Sequence, residues 1–575
     1  MPLIKTNDAK CRDCYKCVRS CPLKAICINS GPNNIQAHHA RVLEESCVQC
    51  GHCTVICPQK AKVVKNDLED IKNLLSNKSI TVVASVAPSF PVHMPLPQPL
   101  ALPGLLKRLG FSQVGLTAVG AELISVEHQR INAPESEISS ACPAVVNLIE
   151  QHYTHLLPNL SPLVSPVIAH GRLLKKQYPG CVVVFIGPCI AKKGEIVSDK
   201  VKGAVDYALG FKELWDWIKA EAIDLNKIEN VEFDGYIPGK ANLFPAKGGQ
   251  LLASSLSTDI MDSGVQTVTG LQNCIDLLKN FCNLNKDQMP KFVEMLACRG
   301  GCLGGPCGIT ENDIYSKRQR LLDFYSRNTL KTAEKTGAGT TPSLPATDLI
   351  REFESRKVIL PVPDEEQIKS ILMQSGKYVP QDELNCGSCG FGSCREKAVA
   401  VFRGHAEPQM CIPYMRKRAE SISNLVLNAM PNAVIIADED LVITEINPAA
   451  VKMFDCQGKQ IIGQRLDRLI DPTEFQVVLK EKRAVVADFR SLENGVITRQ
   501  IIFPLENMAV GIFADITKEV TQQGELLHVK TQTIERAQEV IKKQMTVAQE
   551  IAGLLGETTA ETKILLNQLI KLMED

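Results

Sequence analysis

The chain has 575 residues, 45% of them apolar, with 64 basic and 64 acidic side chains. That length exceeds what one core organises and predicts about three to five domains. A formal net charge of zero leaves no electrostatic footprint for nucleic acid, and no apolar run approaches the roughly 20 residues of a membrane span.

Met1 to Asp8 carry neither the apolar centre of a signal peptide nor a twin arginine, which predicts a cytoplasmic protein. Its 22 cysteines are then thiolate ligands rather than disulfides, because the cytosol keeps thiols reduced. Residues 1–64 hold an internal repeat: Cys11, Cys14, Cys17, Cys21 before Pro22, and Cys47, Cys50, Cys53, Cys57 before Pro58. This is the bacterial two-cluster ferredoxin run, in which the fourth cysteine of each copy ligates the other cluster. One cluster would take Cys11, Cys14, Cys17 and Cys57; the other Cys47, Cys50, Cys53 and Cys21. A pair of zinc sites is the alternative, but zinc sites favour paired C-x2-C knuckles over triple runs.

Residues 78–330 read as an α/β domain. Ile80–Val86 and Cys181–Ile186 are short β-branched runs suited to buried strands, and Pro103–Leu109 and Ala144–His155 are helical. Residues 331–375 form a connector: Thr336–Pro345 is loop-like, and a helical segment is predicted near Asp348–Arg356. A further cysteine group, Cys386, Cys389, Cys394 and Cys411, lies in 376–415 among Gly387, Gly390 and Gly392. Such glycines let backbone amides approach cluster sulfurs. Residues 419–517 alternate strand and helix signals, with strands at Ala433–Asp438 and Leu441–Asn447 and a helix at Pro448–Phe454. From 518 to 575 the pattern is one long amphipathic helix. Leu527, Ile534, Ile541, Ala548 and Leu555 recur at the coiled-coil period, while Lys530 and Gln544 interrupt the second seam and Gly553 and Gly556 loosen the end.

Three motifs in the central domain belong together: Ser139-Ser140-Ala141-Cys142-Pro143, Gly187-Pro188-Cys189-Ile190-Ala191-Lys192-Lys193-Gly194-Glu195, and Glu294-Met295-Leu296-Ala297-Cys298-Arg299-Gly300-Gly301-Cys302-Leu303-Gly304-Gly305. In this order, behind the ferredoxin-like run, they resemble the three signatures of FeFe-hydrogenases over residues 1–310. The resemblance implies that Cys142, Cys189, Cys298 and Cys302 ligate the cubane of the H-cluster. Cys302 would bridge to a two-iron subsite bearing CO, cyanide and azadithiolate. It also implies that Lys192 hydrogen-bonds one cyanide and that Ala87-Pro88-Ser89 contacts the other. Three 4Fe–4S clusters would lie outside the H-cluster.

The departures from the family pattern matter as much. Catalytic members carry Cys-Cys-Pro, whose first thiol passes protons; here that position is Ala141. Family methionines are replaced by Leu296 and Gly187, and the upstream acidic relay by Ile124–Gln129, containing Glu127. Because general acid–base steps contribute roughly 100- to 10,000-fold, slow turnover is expected. Cys307, Glu294, Glu137 and Ser140 are candidates for a substitute proton path. A related family keeps such cysteines for iron–sulfur assembly without hydrogenase activity.

The group Cys386, Cys389, Cys394, Cys411 resembles the small 4Fe–4S domain of corrinoid iron–sulfur proteins, with a zinc knuckle as the alternative. Residues 419–517 resemble a PAS domain through Met430–Ile436, Ile446–Ala450 and Gly463–Leu466. That stretch contains no histidine and its Cys456 lies outside a flavin-adduct motif, so a PAS without its own cofactor is expected. No kinase signature follows. Cys27, Cys181, Cys274 and Cys282 read as packing residues.

The expected fold class is multidomain α/β and α+β: a two-cluster ferredoxin-like domain, a two-lobed α/β H-cluster domain, a small 4Fe–4S domain, a PAS domain and a C-terminal helix or coiled coil. The expected function is a hydrogenase of the sensory type. It would activate H2 slowly and reversibly and relay redox state to the PAS and coil. Its partners would be H2, protons and a ferredoxin or downstream signalling protein, with no nucleic acid or membrane, and the chain would be a homodimer. The alternatives are a conventional ferredoxin-linked hydrogenase and a non-catalytic iron–sulfur redox switch.

Overall fold

The computed structural model describes residues 2–28, 39–131, 134–259, 261–281, 283, 285, 288–309, 313–333, 342–456, 458–492, 495–555 and 560–574. Cys282 lies outside them. The chain divides into two compact units, Met1–Ile412 and Pro413–Asp575.

Two small antiparallel pairs frame the N-terminal lobe: β1 (Ile4–Thr6) against β4 (Lys62–Val64), and β2 (Ile26–Ile28) against β3 (Ala40–Val42). Short helices Lys16–Ser20 and His52–Ile56 lie inside the two cysteine runs.

The central domain has two parallel sheets. β5 (Val82–Val86), β6 (Gln113–Leu116), β8 (Val182–Gly187) and β9 (Tyr207–Gly210) form one, in the order β6-β5-β8-β9. Every residue of β5 is buried, as a strand covered on both faces requires. β7 (Glu137–Ile138), β10 (Val265–Thr269) and β11 (Phe292–Leu296) form the other, in the order β10-β11-β7. Each sheet has its own apolar core. Phe90, Leu102, Val184 and Phe211 anchor the first; Ile149, Leu278, Phe281 and Val293 anchor the second.

The connector departs from expectation. Past a turn at Ala346–Asp348, residues 349–358 are an extended strap rather than a helix. Their amides find partners across the domain. Arg351 N–H donates to Pro162 O at 2.7 Å, Arg356 N–H to Glu150 O at 2.8 Å and Val358 N–H to Gln151 O at 3.1 Å. These bonds replace the local ones a helix would make. Helix Ile314–Ala333 runs across residue 330, and helix Glu365–Gln374 packs against helix Cys394–Phe402.

In the second unit, β12 (Ala433–Ala437), β13 (Ile443–Ile446), β14 (Val485–Ser491), β15 (Ile497–Leu505) and β16 (Met508–Asp515) form an antiparallel sheet in the order β13-β12-β16-β15-β14. Phe475, Phe513 and Ile435 centre its core. Asn447 caps helix Pro448–Met453, and its amide also binds the Leu427 and Asn432 carbonyls. Among the described residues the tail forms helices Thr517–Leu555 and Ala560–Glu574; Gly556 lies outside them. Leu527 is exposed and Ile534 and Ile541 are half-buried.

Candidate functional site

The three central motifs sit just past the carboxyl ends of β7, β8 and β11, where open parallel sheets place their ligands. Cys142 caps helix Pro143–His152, and Cys189 caps helix Ile190–Glu195. Each sulfur-bearing residue thus stands at the positive end of a helix, which favours thiolate. Cys298 and Cys302 lie on the turn after β11. Gly300 and Gly301 there adopt φ of +74° and +81°, and a Cβ on Gly301 would lie 2.4 Å from the Pro245 carbonyl oxygen.

The four thiols crowd one another. Burial first, then repulsion from Cys142, pushes Cys189 up to about 11, while Lys192 pulls it down. Cys298 and Cys302 rise further, through burial and then the same neighbours. Such a group becomes four thiolates only when a cation holds it. Among the described residues, only Cys11, Asp13 and His39 bring three ligand atoms within 4.8 Å of one another. A single tetrahedral zinc, with Zn–S of about 2.3 Å, would hold its sulfurs about 3.8 Å apart. Among the described residues none of the four cysteine groups brings three sulfurs that close, an arrangement that favours a multi-iron cluster over one zinc.

Lys192 is buried, donating to Glu195 Oε2 at 2.8 Å and to the Ala141 carbonyl at 3.3 Å. Ala87 and Ser89 are buried; the Pro88 carbonyl accepts from Tyr325 Oη at 2.8 Å, and Ser89 Oγ has no hydrogen-bond partner among the described residues. That orphaned hydroxyl fits a segment that serves a bound polar group. At Gly187 the space a Cβ would enter is taken by the Phe185 ring, 2.4 Å away. The aromatic ring thus occupies room a larger side chain would need.

Of the four proton-path candidates, the structure links one to Ala141. Glu294 accepts from Gly248 N–H at 2.6 Å and Gln250 N–H at 2.9 Å. The Gln250 side chain accepts from Ser139 Oγ, which in turn accepts from Ala141 N–H at 3.3 Å. Burial raises Glu294 to about 7, against the two amide donors and Lys247. Gly248 also lines a surface cleft of about 600 Å³. Glu137 instead pairs with His128 Nε2 at 2.8 Å, Ser140 Oγ is committed to the Leu163 carbonyl at 2.6 Å, and Cys307 is buried beside Gly210 and Glu213.

In the N-terminal lobe, Cys21 bears electrostatically on Cys47, Cys50 and Cys53, whereas Cys17 feels Cys57 and Cys11. Cys14 and Cys57 both reach Gln59 Oε1, at 3.8 and 4.0 Å. Cys21 thus lies within electrostatic reach of the second run, and Cys57 within reach of the first. Cys50 and Cys298 line one cavity of about 390 Å³, so the lobe's second group abuts the central site.

The group Cys386, Cys389, Cys394, Cys411 docks on the same lobe. Phe391, Ala400 and Met410 share a core with Cys17, Val18 and Ile26. Lys377 Nζ lies 3.3 Å from Cys411 Sγ. Burial lowers the Lys397 ammonium, opposed by Cys411, Cys389 and Cys394. Cys386 is exposed. Sequence reasoning missed Lys24, Lys377 and Lys397, because a lysine near a cysteine in space leaves no spacing signal. It also missed Ser139, Gln250 and Arg351. Cys274, taken as packing, is buried close enough to Cys142 to feel its charge.

Residues 80–306 match the family model for the iron only hydrogenase large subunit, C-terminal domain. Residues 382–413 match an Fe–S cluster model and 424–535 the PAS fold. The chain is 25% identical to the NADP-reducing hydrogenase subunit HndD of Solidesulfovibrio fructosivorans, over 56% of this chain and 67% of that one. It is 26% identical to iron hydrogenase 1 of Clostridium pasteurianum (46% and 58% covered). It is 27% identical to the cytosolic Fe–S cluster assembly factor NAR1 of Encephalitozoon cuniculi (39% and 65% covered). Among solved structures, a variant of the FeFe-hydrogenase HydA1 from Chlamydomonas reinhardtii aligns with TM-score 0.40 and 20% identity, covering 51% of this chain and all of that one.

Proposed function

The central domain, residues 80–306, belongs to the iron-only hydrogenase large-subunit family, and from that premise we propose that this chain activates H2 slowly and reversibly in order to report it. The observation that carries the proposal is the convergence of Cys142, Cys189, Cys298 and Cys302 beside the buried Lys192, with Ala141 in place of a proton-passing thiol. The group that Cys142, Cys189, Cys298 and Cys302 would hold is an H-cluster, which supplies heterolytic H2 splitting when bound.

The chain's own residues supply the surroundings. Lys192 would offer an ammonium to an anionic ligand of that group, and Glu195 holds that ammonium by an ion pair. Ser89 would offer it a buried hydroxyl that has no partner among the described residues. Ala141 offers no exchangeable proton, so Glu294, near half-protonated at neutral pH, is the buried group best suited to hold one. Cys50, facing the cavity that also holds Cys298, makes the N-terminal lobe the electron outlet this reading requires. Lys24, between Cys21 and Cys389, ties the fourth cysteine group to that outlet. The PAS domain in the same chain makes a signal, rather than bulk H2 metabolism, the purpose. The proposed organisation is 1–64 two-cluster lobe, 78–330 hydrogenase domain, 331–375 connector, 376–415 single-cluster lobe, 419–517 PAS and 518–575 helical tail.

Infrared spectroscopy of the matured protein tests this. Carbonyl and cyanide bands that change between inert gas and H2 are expected. Bands that are present but insensitive to H2 would sink the sensing reading. Absence of both band sets favours an iron–sulfur redox switch, the reading that the similarity to NAR1 brings into view.

A further inference from the structure

Arg351 lies outside the stretch that matches the hydrogenase family, which ends at residue 306. It is on the extended strap, held by its backbone donation to Pro162 O and by the antiparallel bridge between Leu163 and Ile350. Its side chain turns inward. Nη1 lies 3.4 Å from Glu195 Oε1, and the two side chains are only 9% and 1% exposed. The guanidinium also stands 5.0 Å over the Phe353 ring.

The other oxygen of the same carboxylate, Oε2, accepts from Lys192 Nζ at 2.8 Å and Ser165 Oγ at 2.9 Å. One buried anion therefore serves two buried cations, one from each side. Lys193, the next lysine, is separately balanced by Glu213 at 2.7 Å. The triad Arg351–Glu195–Lys192 carries a net positive charge, and its inner end is the ammonium that pulls Cys189 and Cys302 toward thiolate. Buried charge survives only when compensated, and an anionic group held by the four cysteines would provide that compensation.

We infer that Arg351 is a positioning residue of the cluster site: it fixes Glu195, and through it the place and field of Lys192, so the connector is a working part of the site. The inference rests on the hydrogenase-family reading for the identity of the group at the four cysteines. It needs only the iron–sulfur portion held by those cysteines.

The test is an EPR-monitored redox titration of the full chain loaded with iron–sulfur clusters and lacking the two-iron subsite. Arg351→Met removes a positive charge and is expected to move the potential of the cluster at Cys142, Cys189, Cys298 and Cys302 downward. Arg351→Lys should restore it. Glu195→Gln removes a negative charge and should move it upward. Opposite signs are not what mere destabilisation produces. An unchanged potential in Arg351→Met with full iron content overturns the inference. Should Arg351→Met lose iron, Glu195→Gln decides: a rise supports the inference and an unchanged potential overturns it. Failure of the hydrogenase reading shows separately, as missing carbonyl and cyanide bands in the matured wild type.

Discussion

Lys24 donates its ammonium to the carbonyl of Gly390, 366 positions further along the chain. The same ammonium stands 5.1 Å over the Phe391 ring. Burial lowers its proton affinity, and Cys21 and Cys389 raise it. One side chain thus joins two lobes that each carry a cysteine group.

Gly390 allows the approach: its φ is +89°, and a Cβ there would lie 2.5 Å from Arg19 Cα. Gly390→Ala is expected to cost at least the roughly 1–2 kcal/mol of a left-handed residue. Amides of helix Cys394–Phe402 should then exchange about tenfold faster or more. Hydrogen-exchange mass spectrometry that finds no acceleration would show that the contact contributes little.

Ala141→Cys places a thiol beside Cys142, where the resemblance to FeFe-hydrogenases implies one in catalytic members. A gain of roughly 100- to 10,000-fold in H2 turnover is expected if proton delivery limits the wild type. Film electrochemistry of both matured proteins measures it. Equal currents would mean that protons travel by another route, with Glu294 the first residue to replace.

Glu294 titrates at about 7 in the fold against an ordinary 4.5. Below about 4.5 both folded and unfolded chains hold the proton. Between 4.5 and 7 only the folded chain keeps it, so wild-type stability falls across that window and levels above it. The shift corresponds to about 3 kcal/mol at most. Glu294→Gln cannot ionise, so its stability relative to wild type should rise from pH 5 to pH 8. Thermal melts of the two proteins that stay parallel with pH would refute the assignment.

Cys411→Ser removes a buried ligand candidate from the fourth group, beside Lys377. Iron and acid-labile sulfide should fall by one cluster, with the other clusters retained. Metal analysis separates the alternative: stoichiometric zinc in the wild type, lost on substitution, would make this a zinc knuckle.

The cysteines were legible because cluster ligation imposes short, fixed spacings within single segments. The proposed swap of Cys21 and Cys57 follows from the duplicated run, and Cys21 lies near enough to Cys50, and Cys57 to Cys17, to be felt electrostatically. Strands such as Val82–Val86 and Ala433–Ala437 were visible as short β-branched runs. The strap at 349–358 was not. Arg-Glu-Phe-Glu-Ser-Arg has the composition of a solvated helix, and its backbone partners, Pro162, Glu150 and Gln151, lie far off in sequence. The seven-residue repeat marked the tail as helical, and its described parts are helices Thr517–Leu555 and Ala560–Glu574. Arg351, Lys24 and Gln250 act across long separations, where a single sequence carries no trace of pairing.

The strap also bears on how this chain can be dissected. Truncation at 306, where the hydrogenase match ends, would strip partners from the carbonyls of Pro162, Glu150 and Gln151. Among the described residues it would also leave the Glu195 carboxylate with only Lys192 as an ion-pair partner. The smallest stretch that looks like a hydrogenase by similarity is thus not the smallest that is electrically whole, and a minimal fragment must run to at least Val358.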